Sequence, residues 1–176
     1  MLDDVKEINK NCEACQRNEK IKQVFEHPAR TIKVIGINNM IGIDMISGLP
    51  ETTEGFKCIC TITEYSTKNA EAYPTKSKSA DEIVYCLILY FSIYGPAKVI
   101  LSDQGKEFNN ELVNKLLSAN GIEHKVTSAY NPRTNGQTER FNDVLIESLR
   151  KHCEKNTLSW PKCFIYFNVH RSRVIF

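Results

Sequence analysis

Apolar and polar positions alternate over the first half of the chain and then change to a helical period. Residues 41–46 (Ile-Gly-Ile-Asp-Met-Ile) form an apolar run that stops at the turn signal Ser47-Gly48-Leu49-Pro50, which predicts a strand. Residues 56–65 set Cys58, Cys60 and Ile62 against Ile59, Thr61 and Thr63, the two-residue period of a second strand. Residues 69–75 give a third, at a sheet edge or with Pro74 near the strand's end, because Pro74 has no N–H to donate. From Ser79 to Tyr94 the period becomes helical. Ile83, Leu87 and Phe91 form the expected inner stripe, Val84 and Ile88 widen it, and Gly95-Pro96 ends it. Ser79 and Glu82 have the spacing of a capping box.

Residues 98–101 then read as a short strand ending at Ser102-Asp103. Residues 107–120 read as a helix with Phe108, Leu112 and Leu116 inward, and residues 122–127 as a further strand. A long helix follows, capped by Thr134 or Asn135, with Phe141, Leu145 and Leu149 inward. Meandering strands followed by helix-linked strands predict an α/β domain with a mixed sheet.

The 176 residues allow one full domain and a small appendage. Divided by pattern, residues 1–22 are a short polar segment, 23–36 a linker, 37–155 the main domain and 156–176 a terminal helix. No stretch approaches the length of a membrane span, and the N-terminus lacks the pattern of a signal peptide. The odd, irregular set of seven cysteines therefore predicts reduced thiols. Net charge is only +2, but it is unevenly placed: residues 34–123 carry seven basic and eleven acidic side chains, residues 124–176 nine basic and four acidic. An acidic middle beside a basic end suits a chain that holds cations next to a polyanion.

Three carboxylates stand out. Asp44 sits inside an apolar strand, where an unpaired charge is costly and calls for a partner or a cation. Asp103 follows a strand, a position favoured by ligand sites in α/β sheets. Glu139 falls in the first turns of the last long helix. Each alone also has an ordinary reading, as a solvated strand-end, turn or helix residue.

The segments 101–108 (Leu-Ser-Asp-Gln-Gly-Lys-Glu-Phe) and 130–142 (Tyr-Asn-Pro-Arg-Thr-Asn-Gly-Gln-Thr-Glu-Arg-Phe-Asn) resemble the integrase catalytic core of gypsy-type long-terminal-repeat retrotransposons and retroviruses. That family carries two aspartates and a glutamate, with 35 residues between the second and third. The same gap separates Asp103 from Glu139. Asp44 followed by Ser47-Gly48-Leu49-Pro50 matches the place of the first aspartate, and residues 62–74 look like the family's second and third strands.

The resemblance implies a ribonuclease H-like three-layer fold, with a mixed five-stranded sheet flanked by helices. It implies Asp44, Asp103 and Glu139 as catalytic residues and as ligands of two Mg²⁺ or Mn²⁺ ions. It also implies two phosphoryl transfers, 3′-end trimming and strand transfer. DNA, as element ends and as target, would be the partner and substrate, with self-association, no membrane partner, no small-molecule substrate and a nuclear destination after passage through the cytoplasm.

Gln137, Arg140, Asn142, Lys106 and Gly136 are the expected DNA contacts, Gly136 because free amides ahead of a helix suit a phosphate. Cys12 and Cys15 have the gap of a zinc knuckle and resemble the end of the family's small zinc domain. No histidine precedes them, so they form half a site and Zn²⁺ is not expected to be held here. Residues 160–172 resemble a shortened version of the family's last helix. The alternative readings are a truncated or domesticated relative that binds DNA or itself without catalysis, an insertion-sequence transposase or ribonuclease H-type nuclease, and a zinc-knuckle binding module.

Overall fold

The computed structural model describes residues 11–12, 36–127, 136–153 and 160–162. The expected linker and most of the two terminal segments lie outside them, as do Cys15 and the expected cap residues Thr134 and Asn135. Eight elements follow in order: β1 (Met40–Ile46), β2 (Cys58–Glu64), β3 (Ala70–Thr75), α1 (Ala80–Tyr94), β4 (Val99–Ser102), α2 (Glu111–Ala119), β5 (Glu123–Val126) and α3 (Gly136–His152).

The strands form one mixed sheet in the order β3-β2-β1-β4-β5. β1, β2 and β3 pair antiparallel, while β4 pairs parallel with β1 and with β5. The Pro74 strand is an edge, as the missing N–H requires.

Both faces of the sheet are covered, and the pleat decides what each receives. On one face Ile41, Ile43, Cys60, Ile62 and Ile100 pack with Ile83, Cys86, Leu87 and Tyr90 of α1 and with Val113 and Leu117 of α2. On the other, Ile46, Ile59, Ala70 and Ala72 pack with Phe141, Leu145 and Leu149 of α3, and Trp160 joins them. β2, in the interior of the sheet, is buried at every position, so its alternation separates two cores rather than core from water.

Local details differ from the expected pattern. α1 buries Ile83, Cys86, Leu87 and Tyr90, whereas Ile88 is 49% exposed, so the inner stripe is rotated from the expected one. Ser79 caps α1 by accepting from Glu82 N–H, but the Glu82 carboxylate accepts from Lys76 N–H, so the box is not closed. α2 begins later than expected, capped by Asn110, whose side chain accepts from Val113 N–H. Phe108 is buried from the turn before it, where the Gly105 carbonyl accepts from both Phe108 and Asn109 N–H. Leu112 is consequently 41% exposed, and Val113 takes the inner position. Among the described residues, no helix is long and apolar enough to cross a membrane.

Candidate functional site

The parallel pairing of β1 with β4 brings the two aspartates together. Its register sets Met40 opposite Val99, Ile41 opposite Ile100 and Gly42 opposite Leu101. Continued by two residues, it sets Asp44 opposite Asp103, on adjacent strands about 4.8 Å apart. Gly42 and Asp44 share one face of β1, the face covered by α3.

α3 lies close on that face because Gly42 has no side chain. A Cβ there would stand 2.4 Å from Thr138 Oγ1 and 2.8 Å from the Tyr65 ring. One turn beyond Thr138, Asn142 Nδ2 donates to Asp44 Oδ2 at 2.8 Å. Met45 N–H donates to Asp44 Oδ1 at 2.7 Å. The start of α3 is tied elsewhere too. Gln137 Nε2 donates to the Glu64 carbonyl at 3.1 Å, and Gln137 Oε1 accepts from Lys68 Nζ. Glu64 itself is buried and accepts from Ser66 N–H, Thr67 N–H and the Thr67 hydroxyl, which fixes the turn between β2 and β3.

Asp103 is exposed, and its Oδ1 accepts from Gly105 N–H at 2.8 Å, closing a tight turn. Beneath it, the fully buried Ser102 donates its hydroxyl to the Asp103 carbonyl at 2.9 Å. His124 Nε2 lies 2.8 Å from the same hydroxyl. Burial lowers the pKa of His124, which favours the neutral ring.

Electrostatics register the convergence. Burial pushes the Asp44 carboxyl up to about 6, against the pull of Met45 N–H; the charges of Asp103 and Glu139 push it up as well, and Lys78 opposes them. Glu139 is exposed, and its pKa is raised first by partial burial and then by Asp143, one turn further along α3. Asp44 thus feels the charges of both Asp103 and Glu139. The three carboxylates are not drawn into a single cage: among the described residues, no group of three or more His, Cys, Asp or Glu side chains could hold a metal ion. Asp103 and Glu139, the latter on the first turn of its helix, both face solvent, while Asp44 is half-buried.

The expected DNA contacts separate. Lys106 and Arg140 are exposed, and Gly136 opens α3. Gln137 has both amide atoms engaged within the chain. Asn142 is 8% exposed and its side-chain amide donates to Asp44. Cys12 is described and Cys15 is not, so the expected half zinc site lies partly outside the described residues. Sequence reading overlooked Gly42, Tyr65, Thr138 and the Ser102–His124 pair. Only Gly42 left a signal, a glycine inside a strand that marks close backbone approach.

Comparison with known proteins gives the arrangement its family. The Pol polyprotein of transposon 412, retrovirus-related, from Drosophila melanogaster is 28% identical over 137 residues, 75% of this chain and 11% of that protein. The chain spans about a tenth of the length of the curated relatives it matches. Among solved structures, a chain of the simian T-cell lymphotropic virus intasome, in complex with the PP2A regulatory subunit B56 gamma, superposes with a TM-score of 0.65 at 19% identity. The match covers 89% of this chain and 55% of that one. The HTLV-2 integrase catalytic core domain, a trimeric form in complex with magnesium, superposes with a TM-score of 0.60 at 16% identity, covering 73% of this chain and 81% of that one. The fold is therefore the ribonuclease H-like one of retroviral integrase cores. The sequence profile described as "Integrase core domain" matches residues 37–132, more than half of the chain, and the chain belongs to that family.

Proposed function

We propose that this chain is the catalytic core of a retrotransposon-type integrase, a polynucleotidyl transferase acting on DNA. Asp44, Asp103 and Glu139 are its catalytic carboxylates and the ligands of two divalent cations. The observation that carries this reading is the β1–β4 register, which sets Asp44 against Asp103 beneath the helix that bears Glu139.

The residues suit a hard cation. All three donors are carboxylates, the chemistry Mg²⁺ and Mn²⁺ take. Beside Asp44, the buried Asn142 Oδ1 has no hydrogen-bond partner among the described residues, an acceptor that a hydrated ion can satisfy. Such ions, when bound, activate the attacking oxygen and neutralise charge on the leaving oxygen of a phosphodiester.

The protein's share is placement. Asn142 holds one oxygen of Asp44 and Met45 N–H the other. The turn to Gly105 and the His124–Ser102 contact fix the backbone of Asp103. α3, docked through Thr138 and Gln137, carries Glu139. In the first reaction, water attacks phosphorus and a 3′-hydroxyl leaves. In the second, that hydroxyl attacks a phosphodiester of target DNA and a new 3′-oxygen leaves. DNA ends and target DNA are the substrates, further copies of the chain the partners, and the nucleus the place of action.

Linear duplex DNA with Mg²⁺ tests the reading. Nicking or strand transfer is expected from the wild-type protein and not from Asp103→Asn. Equal activity in the two overturns the assignment. A second reading, a relative that binds DNA or itself without catalysis, is favoured by the outward Glu139 and the unclosed carboxylate trio. Wild-type binding to DNA without any Mg²⁺- or Mn²⁺-dependent cleavage would establish it.

A further inference from the structure

We propose that Lys57, Lys76 and Lys78 form a subsite for the phosphate backbone of DNA beside the carboxylates. The proposal rests on the DNA-processing reading above and names residues for the substrate grip that the sequence did not suggest.

The argument begins with register. Cys58 lies opposite Thr75, and Lys57 N–H donates to the Thr75 carbonyl at 3.1 Å. Lys57 and Lys76 lie just past that last pair, on neighbouring strand ends. Lys78 follows two residues later, close enough to Asp44 and Cys58 for its charge to act on both. All three lysines are exposed, and among the described residues none forms an ion pair. Glu82 is near, but its carboxylate accepts from the Lys76 backbone N–H. Lys76 Nζ lies 5.9 Å from the Phe56 ring centroid, which steadies one of the three over an aromatic face.

Topology makes the cluster relevant. β1 and β4 end, β2 starts and β3 ends at the same edge of the sheet, so the lysines share the edge that bears Asp44 and Asp103. Two to three strand spacings across the sheet and four residues along it put Lys57 and Lys76 about 15–20 Å from Asp103, roughly four to six nucleotides of rise. A trio of carboxylates repels phosphate. Three exposed ammonium groups at the same end of the sheet supply the opposing attraction.

Binding of the full chain to a linear duplex, followed by fluorescence anisotropy over a range of salt without divalent metal, tests this. The triple variant Lys57→Gln, Lys76→Gln, Lys78→Gln is expected to bind at least about tenfold more weakly, with a salt slope shallower by about 2–3. The matching triple change to Arg keeps the charge and should keep the slope. Lys98→Gln, at the opposite end of the sheet, should behave as wild type. An unchanged slope in the Gln variant, a lost slope in the Arg variant, or an equal effect from Lys98→Gln overturns the proposal. Wild-type binding with the predicted slope changes but no cleavage with Mg²⁺ overturns the catalytic reading and leaves this subsite standing. No binding by the wild type overturns both.

Discussion

The strand side and the helix side of the site are built by different means. Asp44 and Asp103 are set by backbone register between neighbouring parallel strands, and both are buttressed from behind. Glu139 rides on α3, whose first turn is docked by a few side chains: Thr138 over Gly42, Asn142 on Asp44, and Gln137 on the β2–β3 turn. A ladder of backbone hydrogen bonds leaves little freedom. A helix seated through side chains can shift by fractions of an ångström when one contact changes. The strand half is therefore a fixed plate, and the helix half is the part whose position can be tuned.

Gly42→Ala attacks the joint between the two halves and should have the largest effect. The added methyl meets the buried Thr138 and the Tyr65 ring, and overpacking of this kind costs about 1–3 kcal/mol. Chemical denaturation should show that loss, and hydrogen exchange should show α3 released before the sheet. Equal protection across both regions would mean that the helix is seated otherwise.

Asp44→Asn probes the fixed half through pH. The carboxyl is raised from 3.8 to about 6 in the folded protein, so the folded state binds the proton more tightly than the unfolded chain. Stability from this group is full below pH 3.8 and declines as pH rises through about 6, by roughly 1–3 kcal/mol. The Asn variant should lack that decline and be the more stable form at neutral pH without metal. Mg²⁺ should restore stability to the wild type and do little for the variant. Parallel pH–stability curves for the two proteins would rule out the assignment.

Gln137→Ala is milder. It removes two exposed or half-buried hydrogen bonds, about 1 kcal/mol or less, yet should raise exchange in the first turn of α3 while β1 and β4 stay protected. Leu112→Gln, on a helix remote from the joint, should change stability by no more than about 0.5 kcal/mol, because the side chain is already largely in water.

Leu112 also marks what the sequence could and could not convey. The sequence of elements along the chain, the edge position of the Pro74 strand and the inner face of α3 follow from local pattern and turn chemistry, and they are found as expected. The buried stripe of α1 is not, because Cys86 and Tyr90 serve as core residues as readily as Ile88 does. The start of α2 is displaced because Asn110 outcompetes earlier residues as a cap. The carboxylates were recognisable from their spacing. Their supports were not, since Asn142 meets Asp44 across 98 residues and Gly42 matters only for what it lacks. The lysines at the ends of β2 and β3 were hidden for a similar reason: summed along the chain, residues 34–123 are acidic, and only the fold gathers these positive charges at one end of the sheet.

The alternation along β1 imposes a parity rule. Inserting one residue between Gly42 and Asp44 would leave most of the sequence intact but turn the carboxylate through the sheet, among Ile83, Leu87 and the other greasy side chains of the far layer. Inserting two would return it to the correct side one repeat out of step with Asp103. Length variation in this lineage should therefore accumulate in the connection after Ile46 and be purged from the short interval before Asp44.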